Sequence, residues 1–327
     1  MDEKKGQLIK KPGIIFMGTP EFAVASLKAL VEAGYPLLAV VTAPDKPAGR
    51  GLHLKESAVK QYAVRANIPV LQPEKLRNPE FLDSLKKLGA DLQVVVAFRM
   101  LPELVWNMPP MGTLNVHGSL LPQYRGAAPI NWAIINGEQE TGVTTFKLQH
   151  AIDTGDLLLQ EKIQIEPNET AGQIHDRMME VGAQVLVKTI EGLMEDSIVP
   201  MPQNKTGEAL LHAPKIFTDT CKIDPAQSVS EVHNLIRGLS PFPGAFIYLG
   251  DKTFKIYESE ISENLTIKPI AGTWYIDNKN NLMLGCKGGF VSLKLVQLEG
   301  KKKMPVSDFL RGFRWPEEAI VQMLELP

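Results

Sequence analysis

Asn115 and His117 are the residues whose types and spacing best suit chemistry. Residues 112–117 have the pattern of a short strand, and residues two apart on a strand point to the same face. An amide can donate a hydrogen bond to a developing oxyanion, and an imidazole can move protons near neutral pH. The pair could therefore support transfer of an acyl group. Each residue taken alone is more typical of a structural role in a turn at the strand end.

A carboxylate follows later in the chain, in the segment Asp153-Thr154-Gly155-Asp156. Its composition is that of a turn, and strand-like runs flank it on both sides. A buried aspartate beside an imidazole can orient the ring and stabilise its charged form. The sequence therefore predicts that Asp153 returns to the sheet near His117.

These segments carry a family resemblance. The run HGSLLPQYRGAAPI that begins at His117, followed by DTGD, closely resembles the signature of the folate-dependent formyltransferases, and the similarity to members that act on tRNA extends over most of the chain. The resemblance implies that Asn115, His117 and Asp153 form the catalytic set. It also implies that the folate pocket includes Ser119, Leu120, Leu121 and Pro122.

The segment after the apolar run 92–98 departs from the family pattern. It reads AFRMLP, where the family more often has a Tyr-Gly pair before the aliphatic residue and the proline. In the family this loop lines the folate pocket largely through backbone groups. The resemblance therefore places Phe98 and Arg99 at the pocket, although Arg99 could equally be an ordinary surface charge.

Composition limits the class of protein. With 327 residues, of which 44% are hydrophobic, the chain can bury a large core and favours two domains. No apolar run approaches the ~20 residues of a membrane span, and the charged first residues do not resemble a secretion signal. Cys221 and Cys286 have no metal-like spacing, so we expect neither a zinc site nor a disulfide framework. We expect a cytoplasmic protein that needs no metal and has no membrane partner.

The first part of the chain predicts an α/β domain. The apolar run 14–17 ends at Gly18-Thr19-Pro20, and a helical pattern follows it up to Gly34. Further alternation of strand and helix patterns predicts a parallel sheet covered on both faces. A dinucleotide fingerprint would require G-x-G-x-x-G after the first strand, which is absent. We therefore predict a Rossmann-like formyltransferase domain over residues 1–195, without a nucleotide site.

The second part predicts a small β-rich domain. Residues 196–213 are polar and rich in proline, which is typical of a linker. Residues 214–327 contain five short strand-like runs separated by turn residues, which predict a β-barrel. The resemblance makes this barrel OB-like and implies that it binds tRNA. Lys301, Lys302 and Lys303 then become candidate phosphate contacts, although in most proteins such a run is only a solvated turn.

The loop over residues 43–51 contains prolines, glycines and cations, which predict an exposed loop. The resemblance implies that it reaches the acceptor arm of a tRNA through Arg50, with Lys46 as a weaker companion. Without the resemblance, the same composition is typical of a solvated connector. The net charge of −2 argues against indiscriminate binding of nucleic acid, so DNA is not an expected partner.

The resemblance thus implies a reaction. The formyl group of 10-formyltetrahydrofolate is expected to pass to the amino group of methionine on the initiator tRNA. A related transferase that acts on an amino-sugar nucleotide or a purine precursor is an alternative, because it would share the NxH, SLLP and Asp elements. A noncatalytic RNA-binding protein of the same fold is a second alternative, which the intact Asn115, His117 and Asp153 disfavour.

Overall fold

The computed structural model describes residues 10–48, 53–203, 209–262, 267–277, 281–317 and 319–324. By its internal packing the chain divides into two units, each of which collects separate segments. Unit 1 comprises Met1–Arg125, Gly142–Ile163 and Asp176–Leu211. Unit 2 comprises Gly126–Thr141, Gln164–His175 and His212–Pro327.

From the first strand to the long helix that ends at Met194, strands and helices mostly alternate along the chain. In chain order they are β1 (Ile14–Gly18), α1 (Glu21–Glu32), β2 (Leu37–Val41), β3 (Lys46–Ala48), β4 (His53–Lys55), α2 (Ala58–Arg65), β5 (Val70–Leu71), α3 (Pro79–Leu88), β6 (Leu92–Val96), α4 (Glu103–Trp106), β7 (Thr113–His117), β8 (Arg125–Gly126), α5 (Pro129–Ile135), β9 (Glu140–Lys147), β10 (Leu157–Gln164) and α6 (Ala171–Met194).

The remaining elements are mostly strands. They are β11 (His212–Ala213), a 3-10 turn (Thr218–Cys221), α7 (Val229–Gly238), β12 (Ala245–Leu249), β13 (Lys252–Ser262), β14 (Trp274–Asp277), β15 (Leu282–Cys286), β16 (Gly289–Leu298), β17 (Met304–Pro305), α8 (Val306–Gly312) and β18 (Val321–Leu324).

Unit 1 is built on a seven-stranded sheet with the order β10-β9-β7-β6-β1-β2-β5. The five strands from β7 to β5 are parallel, and β9 runs antiparallel to β7. Every residue of β1 and β6 is buried, which explains their largely apolar sequences, and the polar Gln93 of β6 accepts a hydrogen bond from the Thr113 hydroxyl at 3.1 Å. The predicted Rossmann-like sheet is confirmed, with an antiparallel pair added at the edge.

Helix boundaries in unit 1 follow local chemistry. The Ser57 hydroxyl accepts a hydrogen bond from the Lys60 amide at the start of α2. The Asn78 side chain caps α3, where proline occupies the first helical position, and Gly89 ends that helix with φ +58°. These caps set where α2 and α3 begin and where α3 ends.

Unit 2 contains a second sheet with the order β12-β13-β16-β15-β14-β18, and β17 also pairs with β16. Its strands are antiparallel except for the parallel pair β14 and β18. Phe254, Trp274 and Phe309 lie in the core of this unit. The five predicted strand-like runs correspond to β12 to β16, and β18 is a strand that the sequence analysis missed. The OB-like description of this sheet stays a prediction.

Among the helices that the structure describes, none is both long and apolar enough to cross a membrane.

Candidate active site

Strand β7 brings Asn115 and His117 to one edge of the sheet in unit 1. It lies between β6 and β9, where Asn115 is opposite Val95 on one side and Phe146 on the other. His117 is 8% exposed, whereas Asn115 is only partly buried. The pair lies at the carboxyl end of parallel strands, where open α/β sheets bind their ligands.

The two ring nitrogens of His117 face different groups. Nε2 lies 3.0 Å from the Tyr124 carbonyl oxygen, and because a carbonyl only accepts, Nε2 carries the hydrogen in this contact. Nδ1 lies 4.0 Å from Oδ2 of Asp153. That separation is too long for a hydrogen bond, but it suits an ion pair once Nδ1 is protonated. The structure therefore places Asp153 beside His117, with Asn115 two residues earlier on the same strand, and the catalytic roles of the three stay predictions.

The turn that carries Asp153 is packed tightly against the end of β9. Asp153 has φ +53°, in the left-handed region, and its side chain is 13% exposed. A Cβ added at Gly155 would lie 1.6 Å from the Lys147 carbonyl oxygen, so only glycine fits there. The position of the Asp153 carboxylate thus depends on a backbone path that few other sequences could follow.

Gln203 is a residue of this site that the sequence analysis missed. Its Nε2 donates to the carbonyl oxygens of Asp153, at 3.0 Å, and Gly155, at 2.8 Å. Its Oε1 accepts from Arg125, at 3.1 Å from Nε and 2.5 Å from the terminal nitrogen. A glutamine after two prolines in an apparent linker offers no local signal for this role, because its partners are distant in sequence.

The segment Ser119–Pro122 is held by a buried polar network around Thr144. The Thr144 hydroxyl donates to the Ser119 carbonyl oxygen at 2.7 Å and accepts from the Leu121 amide at 3.1 Å. Gln160 donates to the Leu121 carbonyl oxygen at 2.9 Å. Ser119 and Leu121 are buried, whereas Leu120 and Pro122 are partly exposed. These hydrogen bonds hold the backbone of Ser119 and Leu121 to Thr144 and Gln160 inside the protein.

Phe98 and Arg99 follow β6, next to the end of β7. The Arg99 guanidinium donates to the Glu74 carbonyl oxygen at 2.8 Å and to that of Pro73, and it lies 5.5 Å from the Phe98 ring centroid. Partial burial lowers the pKa of Arg99. Phe98 itself packs on the core of unit 1. Both side chains support the shape of this loop, and their contact with folate stays a prediction.

Of the two basic residues predicted on the first loop, the structure describes one. Lys46 is exposed on β3, and Arg50 lies outside the described residues. Asp45, next to Lys46, pairs with Lys60 of α2, and the hydrogen bond from Lys60 is the main cause of a lowered pKa of Asp45. Gln72 also donates to Asp45, at 2.8 Å. These contacts anchor the chain next to Lys46.

Lys301, Lys302 and Lys303 are all exposed after β16 in unit 2. The Lys303 ammonium lies 3.5 Å from the centroid of the Tyr257 ring, which is a cation–π contact. The Lys301 carbonyl accepts from Gln297 at 2.8 Å. The three ammonium groups therefore form a local basic surface on this unit.

Acidic, histidine and cysteine side chains do not form a metal centre within the described ranges: no group of three or more could hold an ion there. Cys221 and Cys286 are buried, and burial raises the pKa of Cys286 to about 12. Neither thiol is therefore available as a nucleophile near neutral pH.

Comparison with known proteins yields one family over both parts of the chain. Residues 11–190 match the family described as "Formyl transferase", and residues 215–314 match "Formyl transferase, C-terminal domain". A protein named "Methionyl-tRNA formyltransferase" from Azobacteroides pseudotrichonymphae is 51% identical over 311 residues, which cover 92% of this chain and 96% of the relative. A protein of the same name from Bacteroides fragilis is 48% identical over 312 residues, which cover 93% and 96%.

Solved structures share the fold at low sequence identity. The sugar 3N-formyl transferase WlaRD has a TM-score of 0.66 and 20% identity, and the match covers 90% of this chain and 100% of that one. HypX from Aquifex aeolicus has a TM-score of 0.63 and 18% identity, over 96% of this chain and 49% of that one. Family models match both parts of the chain, and relatives that are about 50% identical align with more than nine-tenths of it. These matches establish that the chain belongs to the formyl transferase family.

Proposed function

We propose that the protein transfers the formyl group of 10-formyltetrahydrofolate to the amino group of methionyl initiator tRNA, in the cytoplasm. The observation that carries this proposal is the extent of the similarity. Relatives named methionyl-tRNA formyltransferase align over at least 92% of this chain, including the C-terminal unit. The arrangement of Asn115, His117 and Asp153 supplies the chemistry.

Asn115 stabilises negative charge in the proposed reaction. The donor supplies an electrophilic formyl carbon, whose oxygen gains negative charge as the amine attacks. The Asn115 amide is partly exposed at the strand end, so its N–H groups can reach that oxygen. A preorganised donor in a site shielded from water stabilises such charge far more than a donor in water does.

His117 handles the proton of the amine in the same proposal. Because Nε2–H is engaged with the Tyr124 carbonyl oxygen, Nδ1 is the nitrogen that accepts the proton of the attacking amine. As the tetrahedral intermediate collapses, the bond between the formyl carbon and the folate nitrogen breaks, that nitrogen gains a proton, and tetrahydrofolate leaves. The Asp153 carboxylate, 4.0 Å from Nδ1, stabilises the imidazolium that forms when Nδ1 is protonated. Asp153 thus acts through His117, and the two form one proton-handling unit.

The folate donor fits beside this pair. Strands β6 and β7 are adjacent and parallel, so the loop that begins at Ala97 lies next to the Asn115 edge. Ala97 is exposed with φ +46°, and Met100 is 74% exposed, which leaves backbone groups and apolar surface open to a flat ring system. We assign Phe98, Arg99 and Ser119–Pro122 to this pocket.

Recognition of tRNA is proposed to involve two basic regions. The first consists of Arg50 and Lys46 within residues 43–51, where the Asp45–Lys60 pair anchors the chain next to Lys46. Lys301–Lys303 provide phosphate contacts in unit 2, where Lys303 is held over Tyr257. We accordingly assign catalysis to residues 1–195, a linker to 196–213 and an OB-like tRNA-binding domain to 214–327.

A single assay tests the proposal. The protein is incubated with methionyl initiator tRNA and the folate donor, the ester is hydrolysed, and the released amino acid is identified by mass spectrometry. Formylmethionine is the expected product. Parallel reactions replace the tRNA with an amino-sugar nucleotide or a purine precursor. Formylation of one of these alone would overturn the proposed substrate, and binding of tRNA without product would favour the noncatalytic alternative.

A further inference from the structure

Gln203 forms hydrogen bonds with two segments of unit 1, and each segment faces a different ring nitrogen of His117. One segment contains Asp153, whose carboxylate faces Nδ1 and whose carbonyl oxygen accepts from Gln203. The other contains Tyr124, whose carbonyl oxygen faces Nε2, followed directly by Arg125, which donates to Gln203. A single carboxamide therefore bridges the supports of both ring nitrogens.

We infer that Gln203 is a positioning residue for the reaction, which holds Asp153 and the Tyr124 carbonyl oxygen in register with His117. This inference rests on the proposed function, because the reaction is the one in which His117 moves a proton. Displacement of a catalytic group by about 1 Å can lower a rate by roughly 10²-fold. A residue that acts only through hydrogen bonds to the backbone can thus have a large kinetic effect.

The chemistry of the contact requires an amide at position 203. Arg125 has donors only, so it directs Oε1 of Gln203 toward itself and leaves the NH₂ group for the two carbonyl oxygens of the turn. A glutamate at this position could still accept from Arg125, but an ionised carboxylate cannot donate to carbonyl oxygens. Gln203→Glu therefore keeps the hydrogen bonds from Arg125 and removes those to the carbonyl oxygens of Asp153 and Gly155.

The segment around Gln203 has a second attachment that does not depend on its side chain. Met201 and Leu157 exchange two backbone hydrogen bonds, of 2.9 Å and 2.8 Å. Because this pairing survives substitution of Gln203, the segment should stay docked and the protein should fold. A variant at position 203 therefore tests orientation of the Asp153 turn.

The first test compares Gln203→Ala and Gln203→Glu with Gln61→Ala, a matched change on the exposed face of α2. We expect kcat to fall roughly 10- to 100-fold in both position-203 variants, with KM for the folate donor and Tm close to wild type. Gln61→Ala should match wild type in all three. A kcat within twofold of wild type in Gln203→Ala would overturn the inference, as would a loss explained entirely by a lower Tm.

The second test asks whether Gln203 acts through Asp153. In an Asp153→Ala background, Gln203→Ala should cause a clearly smaller loss of kcat than in wild type, because one of the two groups that it positions is gone. The full loss in that background would contradict the inference. In addition, the His117 ring signals of the free enzyme, followed by NMR, should shift in Gln203→Ala and not in Gln61→Ala. This readout needs no substrate, so it distinguishes a failed positioning role from a failed substrate assignment.

Discussion

Two buried histidines show how one side chain serves two different purposes in this protein. In unit 1, His117 directs Nε2 to the Tyr124 carbonyl oxygen and faces the Asp153 carboxylate with Nδ1. In unit 2, His233 of α7 directs Nε2 to the Pro167 carbonyl oxygen, at 3.2 Å, and Nδ1 to the Ser259 hydroxyl, at 2.9 Å. The Nε2 contacts are alike, and the partner of Nδ1 is what differs.

The partner of Nδ1 determines which form of the ring is useful. A hydroxyl can donate to Nδ1, so neutral His233 has both nitrogens paired and serves as a core residue. Burial is the main cause of a lowered pKa of His233, and the nearby Arg237 adds to it, although the Pro167 carbonyl and Glu260 oppose the shift. An ionised carboxylate cannot donate, so the environment of His117 suits a ring that takes up a proton. We therefore expect loss of His117 to impair catalysis and loss of His233 to impair folding.

The largest expected effect is on His117. His117→Ala should lower kcat by roughly 10²–10⁴-fold, the range for a lost acid–base group, with little change in Tm. Asp153→Ala should lower it through the same ring, so the double variant should lose far less than the product of the single losses. Steady-state kinetics of the three variants test this, and strictly multiplicative losses would show that the two residues act independently.

The next effect concerns Asn115, which shares the face of β7 with His117. Asn115→Ala should lower kcat by roughly 10²–10³-fold, the cost of one oxyanion donor, while folding and folate affinity change little. Asn115→Asp should be no better, because a carboxylate repels the developing oxyanion. Single-turnover kinetics with saturating donor are the measurement, and a near-normal rate in Asn115→Ala would remove this residue from the mechanism.

The contrast with His233 is tested by stability. His233→Ala should lower the free energy of unfolding by about 2–4 kcal/mol, from the cavity and the unpaired Ser259 hydroxyl. The activity per folded molecule should remain, as measured by kinetics alongside denaturant titration. A His233→Ala protein with normal stability but no formyl transfer would contradict this assignment, because His233 would then serve catalysis and not folding.

The pH dependence of stability sharpens the same point. Because the pKa of His233 is lower in the folded state than its ordinary value of 6.5, the unfolded chain binds this proton more readily. The contribution of His233 to the free energy of unfolding is therefore fully present above about pH 6.5 and is lost as the pH falls below that value. The difference in unfolding free energy between wild type and His233→Ala should shrink on acidification, and a difference constant with pH would contradict this account.

The smallest effect is expected at Arg50. Arg50→Ala should raise KM for the charged tRNA without changing folate affinity, because the residue is proposed to contact only the nucleic acid. A phosphate contact would also reduce the salt dependence of tRNA binding by a slope of about one. Kinetics and binding titrations over a range of salt concentrations test this, and unchanged tRNA parameters would make the loop a solvated connector.

Much of the fold could be predicted from local patterns. The largely apolar runs of β1 and β6 indicate strands buried on both faces, and both are fully buried. The period of two along β7 predicts that Asn115 and His117 share a face. Strand β18 was missed because it is short and pairs with β14 in parallel, a contact that no local pattern indicates.

The sequence by itself determined the elements and the chemical types at the end of β7, since both depend on residues close together in the chain. Only the tertiary structure decided which ring nitrogen of His117 faces Asp153, that the Tyr124 carbonyl oxygen meets the other, and that Gln203 bridges these two segments. Those contacts join residues up to 78 positions apart. Such pairings depend on how the strands and turns pack, which is why a histidine in a site and a histidine in a core look alike until the chain is folded.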